Sequence, residues 1–172
     1  MATRWKPSAT VAAIIEQHGR FLLVEEQTPY GIRINNPAGH LDEGESLTDA
    51  CVRETLEETM YAFEPQSLVG VYMTRTRQGG QSASTDGDIT YIRFAFCGLL
   101  GALQPDRSLD KGILRTLWMT PDELRSSVAR HRSPMVLQGI EDYLAGHRFD
   151  LWLLCTDASV KAMKSRRPGA AT

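Results

Sequence analysis

Three glutamates define the chemistry this chain could perform. Glu54, Glu57 and Glu58 stand at i, i+3 and i+4, and an α-helix turns about 100° per residue. Glu57 therefore lies about 60° to one side of Glu54 and Glu58 about 40° to the other, so a helix puts all three carboxylates on one face. Like charges at these spacings repel by roughly a few tenths of a kcal/mol per pair. A hard divalent cation changes the sign, because it gathers several carboxylate oxygens around one centre. Mg²⁺ keeps part of its shell for water and phosphate oxygens, so such a site is half built by protein and half by a phosphate-bearing substrate. Arg53, one residue before Glu54, could hold one of the carboxylates in its rotamer. The surrounding charge agrees: residues 42–58 hold seven acids against one base, −6 in a chain of net charge −2. Crowded acids destabilise a fold unless something cationic neutralises them. The competing reading is an acidic helix face that simply meets water.

A helix over residues 46–59 must carry these acids. Ser46 is a suitable N-cap, with Asp49 in the acidic position of a capping box. Leu47, Ala50, Cys51 and Leu56 supply an apolar side at helical spacing, so Cys51 reads as plain core. Upstream, residues 8–16 and 20–26 read as strands joined by the turn 17–19, a hairpin. Residues 27–36 read as a loop containing Pro29 and Gly31, and 37–39 as a break in regular structure. Downstream, strands are expected over 67–75, 89–100 and 113–119, with a Gly/Ser/Asp-rich loop over 76–88 and a link over 103–111. Thr120 caps a short helix with Pro121 at its first position. A further helix runs from 133 or 134 to about 145, where Gly146 ends it. Residues 150–154 form a last strand or an apolar segment. This order predicts one α/β domain with a mixed sheet over 1–155, followed by a flexible basic tail over 156–172.

The run Gly39-His40-Leu41-Asp42-Glu43-Gly44-Glu45, then seven residues, then Arg53-Glu54-Thr55-Leu56-Glu57-Glu58, resembles the Nudix box, Gx5Ex7REUxEExGU. Gly39, Glu45, Arg53, Glu54, Glu57 and Glu58 all fall at their required places. Thr55 replaces the usual larger aliphatic. Met60 replaces the Gly that ends the helix in a left-handed conformation, a conformation Met does not adopt cheaply, so a differently shaped helix exit is expected. Outside the box, the chain is similar to the phosphatase NudJ branch of that family. The similarity rests on Lys6-Pro7, Val24-Glu25-Glu26, the run Asn35-Asn36-Pro37-Ala38-Gly39-His40-Leu41, Ile92-Arg93-Phe94 and Arg132-Ser133-Pro134.

The resemblance implies a Nudix α/β/α sandwich around a mixed sheet and hydrolysis of a diphosphate linkage. It implies Mg²⁺, with Mn²⁺ as the alternative ion, held by Glu54, Glu57, Glu58 and the Gly39 carbonyl. The ion would acidify a water and screen the diphosphate. Glu45 would support the loop and helix, and Arg53 would orient Glu54 or another carboxylate. Glu54 is the first choice for general base and Asp110 the second. A carboxylate so near a metal is expected to have a depressed pKa. For the branch, the implied substrates are nucleoside di- and triphosphates, thiamine diphosphate and its hydroxymethylpyrimidine diphosphate precursor, with release of phosphate.

Outside the box, Arg93, and Arg33 or Arg75 near it, are candidates to hold phosphate oxygens, and Tyr30, Tyr72 and Trp118 to stack on a ring. His40 reads as a structural hydrogen-bonder. Three further readings compete. One is another Nudix specificity (ADP-ribose, a dinucleotide polyphosphate, an oxidised nucleotide or a capped RNA end). Another is a non-catalytic Nudix-like module, which the intact acids argue against. The third is a Ca²⁺ loop, which lacks the D-x-D-x-D-G spacing.

Composition narrows the classes. Apolar residues make up 42% and charged residues 23% of the 172, ordinary for a globular chain. No apolar run approaches the roughly 20 residues that cross a bilayer, so no membrane partner is expected. Cys51, Cys97 and Cys155 are odd in number and far apart, which argues against a disulfide framework and for a reducing cytoplasm. The four histidines have no zinc-ligand spacing. Lys161, Lys164, Arg166 and Arg167 are too little positive charge to argue for nucleic acid; the expected partner is a small nucleotide or diphosphate.

Overall fold

Residues 11–15 are buried without interruption, a pattern that a strand takes where both of its faces are covered. The computed structural model, which describes residues 5–76 and 88–162, shows how. Strand β1 (Ser8–Ile14) lies between β5 (Ala38–His40), antiparallel to it, and β7 (Ile89–Leu103), parallel to it. Strand β7 pairs antiparallel with β6 (Tyr61–Thr76), and β6 with β9 (Phe149–Asp150). This five-stranded sheet is therefore mixed. A second, antiparallel sheet is built on β3 (Arg20–Thr28). Strand β8 (Ile113–Met119) takes one edge of β3, while β2 (Glu16–Gln17) and β4 (Gly31–Asn35) share the other.

Alternate residues of β1 enter different cores. Val11 and Ala13, with Ile15 just past the strand, pack with Ala50 and Cys51 of α1 (Leu47–Thr59) and with Phe63 and Phe96. Ala12 and Ile14 pack with Leu124 of α2 (Pro121–Ser126) and with Val136 and Ile140 of α3 (Met135–Leu144). Helices thus cover opposite faces of the sheet, the expected α/β/α sandwich. Both caps follow the expectation: Asp49 N–H donates to Ser46 Oγ, and Glu123 N–H donates to Thr120 Oγ1. No helix among the described residues is long and apolar enough to cross a membrane.

Several local expectations are corrected. The hairpin 8–26 is only a few residues deep: Glu16 and Gln17 pair with β3, and Leu22 N–H reaches Ile15 O at 2.9 Å. Beyond that the two apolar runs part, because β1 is taken by β5 and β7. Residues 27–36, expected as a loop, are largely strand, since β4 pairs with β3 from Val24 to Thr28 around a turn at residues 29–30. The expected break at 37–39 is mostly β5. Strand β6 begins at Tyr61, six residues earlier than expected; Pro65 does not end it because the register shifts there, between Pro65 and Ser67. Residues 151–153 form a 3₁₀ turn. In the stretch expected to be tail, Ala158–Ala162 forms a short helix, α4, and Lys161 Nζ lies 3.1 Å from Asp49 Oδ2. The long loop and residues 163–172 fall outside the described residues, apart from Thr76 at the end of β6 and Asp88.

Candidate active site

The acidic helix is locked in place by one guanidinium. Arg53 Nε and Nη2 donate to the two oxygens of Glu45 at 3.0 and 2.7 Å, Nη1 donates to Glu54 Oε1 at 2.7 Å and Glu57 Oε2 at 3.1 Å, and Nη2 also reaches the His40 carbonyl at 2.9 Å. Glu45, 6% exposed, also accepts the Asp42 N–H at 2.7 Å. Loop, β5 and α1 are thereby joined through Arg53, the pairing on which its fork geometry is effective. The same contacts drive its pKa upward, Glu45 contributing most.

At the other end of α1 the expected distortion does not occur. Met60 is left-handed, with φ 62°, and its N–H donates to Leu56 O at 2.9 Å. Gln104 N–H holds the Met60 carbonyl at 2.8 Å. A methionine thus occupies the conformation glycine usually supplies, at a cost of about 1 kcal/mol. Thr55, fully buried, satisfies its hydroxyl by donating to Cys51 O at 2.7 Å.

Between the two sheets, beside α1, lies a cleft of about 540 Å³. Glu54 and Glu58 face it from α1, joined by Asp42, Asp110 and Glu26. Gly39 abuts Glu54 so closely that a Cβ there would overlap the carboxylate, which gives a physical reason for glycine at this position. Glu58 is 9% exposed and accepts the Ala38 N–H at 2.8 Å. Burial pushes its pKa up to about 8; the Ala38 N–H lowers it, while the charges of Glu54, Glu26 and Asp110 raise it further. Burial also raises Glu54, against the opposing Arg53 contact. The depressed pKa values expected for these acids are therefore not what the chain's own groups produce.

The remaining candidates divide. Arg93 (7% exposed), Arg33, Tyr30 and Asp110 line the cleft, and the Asp110 N–H is tied to Glu57 O at 2.9 Å. Tyr72 does not line it: its hydroxyl donates to Asp142 Oδ2 at 2.8 Å and its ring packs on the α3 core. Arg75 is paired with Asp88 at 2.9 Å, also away from the cleft lining, and Trp118 packs on the α1 core. Glu57 stays on Arg53. Glu26, Asn35, Tyr91, Arg132 and Ser133 line the cleft but were not legible as site residues; all but Tyr91 figured only as parts of the outer resemblance. Only pairing of β4 with β3, unexpected from a stretch that reads as a loop, brings Glu26 and Asn35 to one place.

The residues fit a hard cation by their chemistry. Glu54 and Glu58 are oxygen donors on one cleft, and the charges acting most on buried Glu58 are all negative. Among the described residues, however, no three His, Cys, Asp or Glu side chains converge on a single point.

A sandwich of this topology, with an acidic helix clamped by Arg53 beside a cleft, is that of the Nudix hydrolases. The family described as NUDIX domain matches residues 5–138, and the chain belongs to that family and is a hydrolase of diphosphates. Among curated relatives, phosphatase NudJ from Escherichia coli (strain K12) is 31% identical over 150 residues, covering 87% of this chain and 92% of that protein. A solved NUDIX hydrolase from Nitrosomonas europaea is 47% identical, with a TM-score of 0.77, covering 88% of this chain and 98% of the other. The NUDIX domain of Shewanella oneidensis NrtR, solved with ADP ribose, shares the fold at 17% identity and a TM-score of 0.62, over 83% of this chain and 90% of its own.

Proposed function

We propose that this hydrolase is a Mg²⁺-dependent, NudJ-like phosphatase. It acts on nucleoside di- and triphosphates, and on thiamine or hydroxymethylpyrimidine diphosphate, releasing phosphate. The observation that carries this reading is the pair Glu54 and Glu58, turned into a cleft whose lining also holds Arg33 and Arg93. Glu54 and Glu58 would hold the divalent ion, with Glu57 and the Gly39 carbonyl completing the donor set; Mn²⁺ would serve in the same place. When bound, the ion supplies charge neutralisation for the diphosphate and acidifies water. Arg53 fixes the rotamers of Glu54 and Glu57. Glu54, whose Oε1 is held by Arg53, is the first candidate to take the proton of the attacking water. Asp110, which also lines the cleft, is the second candidate for that proton. Arg33 and Arg93 bind the substrate.

The test is a substrate panel with colorimetric phosphate detection, with and without EDTA. Phosphate released from nucleoside diphosphates, and abolished by EDTA, is the expected result. Preferred conversion of ADP-ribose to AMP and a sugar phosphate would move the protein to another Nudix specificity, and turnover unaffected by EDTA would remove the metal.

A further inference from the structure

The cleft lining holds buried polar atoms that the protein itself leaves under-used. Arg93 is 7% exposed, and among the described residues its Nε has no hydrogen-bond partner. Its Nη1 and Nη2 both point at a single acceptor, Asn35 Oδ1, each at 3.5 Å, the outer limit for such a bond. Glu26 Oε1 is likewise buried without a hydrogen bond among the described residues; it is ion-paired with Arg132 Nε at 3.6 Å, and Asn35 and Arg93 also act on its carboxylate. Ser133 Oγ is a third such atom. Buried polar atoms are almost always paired, and leaving a charged one unpaired is costly. A cluster of them on one cleft reads as a site whose partners arrive with a ligand.

The signs of the groups say what the ligand presents. Arg93 and Arg132 are donors only, and the Glu26 carboxylate is an acceptor. A phosphate would satisfy the arginines but meet the Glu26 charge. A heterocycle with an N–H beside a ring nitrogen or carbonyl oxygen satisfies both at once. Tyr91 and Tyr30 line the same cleft and offer aromatic faces to such a ring.

We propose that Glu26 and Arg93 form the specificity subsite for the organic ring of the substrate, a nucleobase or aminopyrimidine. Glu26 accepts from its N–H and Arg93 donates to the adjacent acceptor. This rests on the NudJ-like reading and reassigns Arg93 from phosphate to ring. Glu26 acts here as a specificity residue, and its charge also reaches Glu58.

The experiment measures steady-state phosphate release from CDP and ADP, and from inorganic tripolyphosphate as a ring-free control. Equilibrium binding of CMP, AMP and pyrophosphate in EDTA is measured alongside, for wild type, Glu26→Ala and Glu26→Gln. Circular dichroism checks that each variant folds; Glu26→Gln keeps the side chain's shape, so it carries the test if Glu26→Ala unfolds. Glu26→Ala is expected to raise KM for the nucleotides, and weaken CMP and AMP, by about 10- to 100-fold, the discrimination of one good edge contact. Tripolyphosphate and pyrophosphate should not weaken, so that the nucleotide loss stands at least about tenfold clear of the ring-free controls. Glu26→Gln, which keeps one acceptor oxygen, should recover part of the loss. Unmoved nucleotide KM in folded variants overturns the subsite while leaving the NudJ-like reading standing. Equal tightening of nucleotides and pyrophosphate in the variants overturns it too, and places phosphate at the wall. Wild type that neither turns over nor binds nucleotides sinks that reading and the subsite with it.

Discussion

Replacing Glu58 by Gln should stabilise the metal-free protein while abolishing its activity. Glu58 is buried, and its carboxyl titrates at about 8 instead of 4.5. Because the folded value is raised, folding takes up a proton in the window between these two values, and stability falls as pH rises through it. Fully ionised, the group would cost the fold up to about 5 kcal/mol; relaxation around a buried site reduces this to on the order of 1–3 kcal/mol. Glutamine has the same shape, still accepts the Ala38 N–H, and carries no charge beside Glu54, Glu26 and Asp110. In EDTA at pH 8.5, urea denaturation should therefore show Glu58→Gln more stable by about 1–3 kcal/mol, and Tm higher by roughly 3–10 °C. At pH 4.5 the two proteins should coincide. Phosphate release with Mg²⁺ should fall by about 10²-fold or more, since one donor of the ion is lost. A variant less stable than wild type at pH 8.5 would show that Glu58 is paid for within the protein and that its burial does not serve a cation. Unchanged turnover would remove it from the ion's donor set.

Three further outcomes follow from the geometry. Arg53→Lys should lower stability by about 2–3 kcal/mol in urea denaturation and kcat by about 10²-fold, because one ammonium cannot bridge Glu45, Glu54, Glu57 and the His40 carbonyl together; wild-type turnover would refute the clamp. Met60→Gly should raise stability by about 0.5–1 kcal/mol by removing the left-handed strain, with kcat/KM unchanged; a lower Tm would show that the Met60 side chain contributes more than its backbone costs. Tyr72→Phe should lose about 1 kcal/mol, the hydroxyl bond to Asp142, with KM unmoved; a raised KM would return Tyr72 to the substrate.

The box, helix α1 with its Ser46 cap, strand β8 and the Thr120 cap could be read directly, because each rests on neighbours within a few residues. Spacing alone puts Glu54, Glu57 and Glu58 on one helical face, and an N-cap needs only the next turn. What each side chain does there required the fold. Arg53 reaches Glu45 and His40 only after the loop folds back on α1, and it also pairs with Glu57, which stands at the edge of the lining that Glu54 and Glu58 share. Tyr72 and Arg75 sit on the same strand as the cleft residue Thr74, yet the packing of α3 gives Tyr72 to Asp142 and the segment entering β7 gives Arg75 to Asp88. In residues 27–36 the only alternation, Ile32-Arg33-Ile34-Asn35, is short and follows Pro29 and Gly31, so the strand is established by backbone pairing with β3, and with it the approach of Glu26, Asn35 and Arg93. Sequence determines local periodicity and the identity of charges; burial, which sets their pKa values and leaves some of them without partners, is decided by segments far apart in the chain closing over one another.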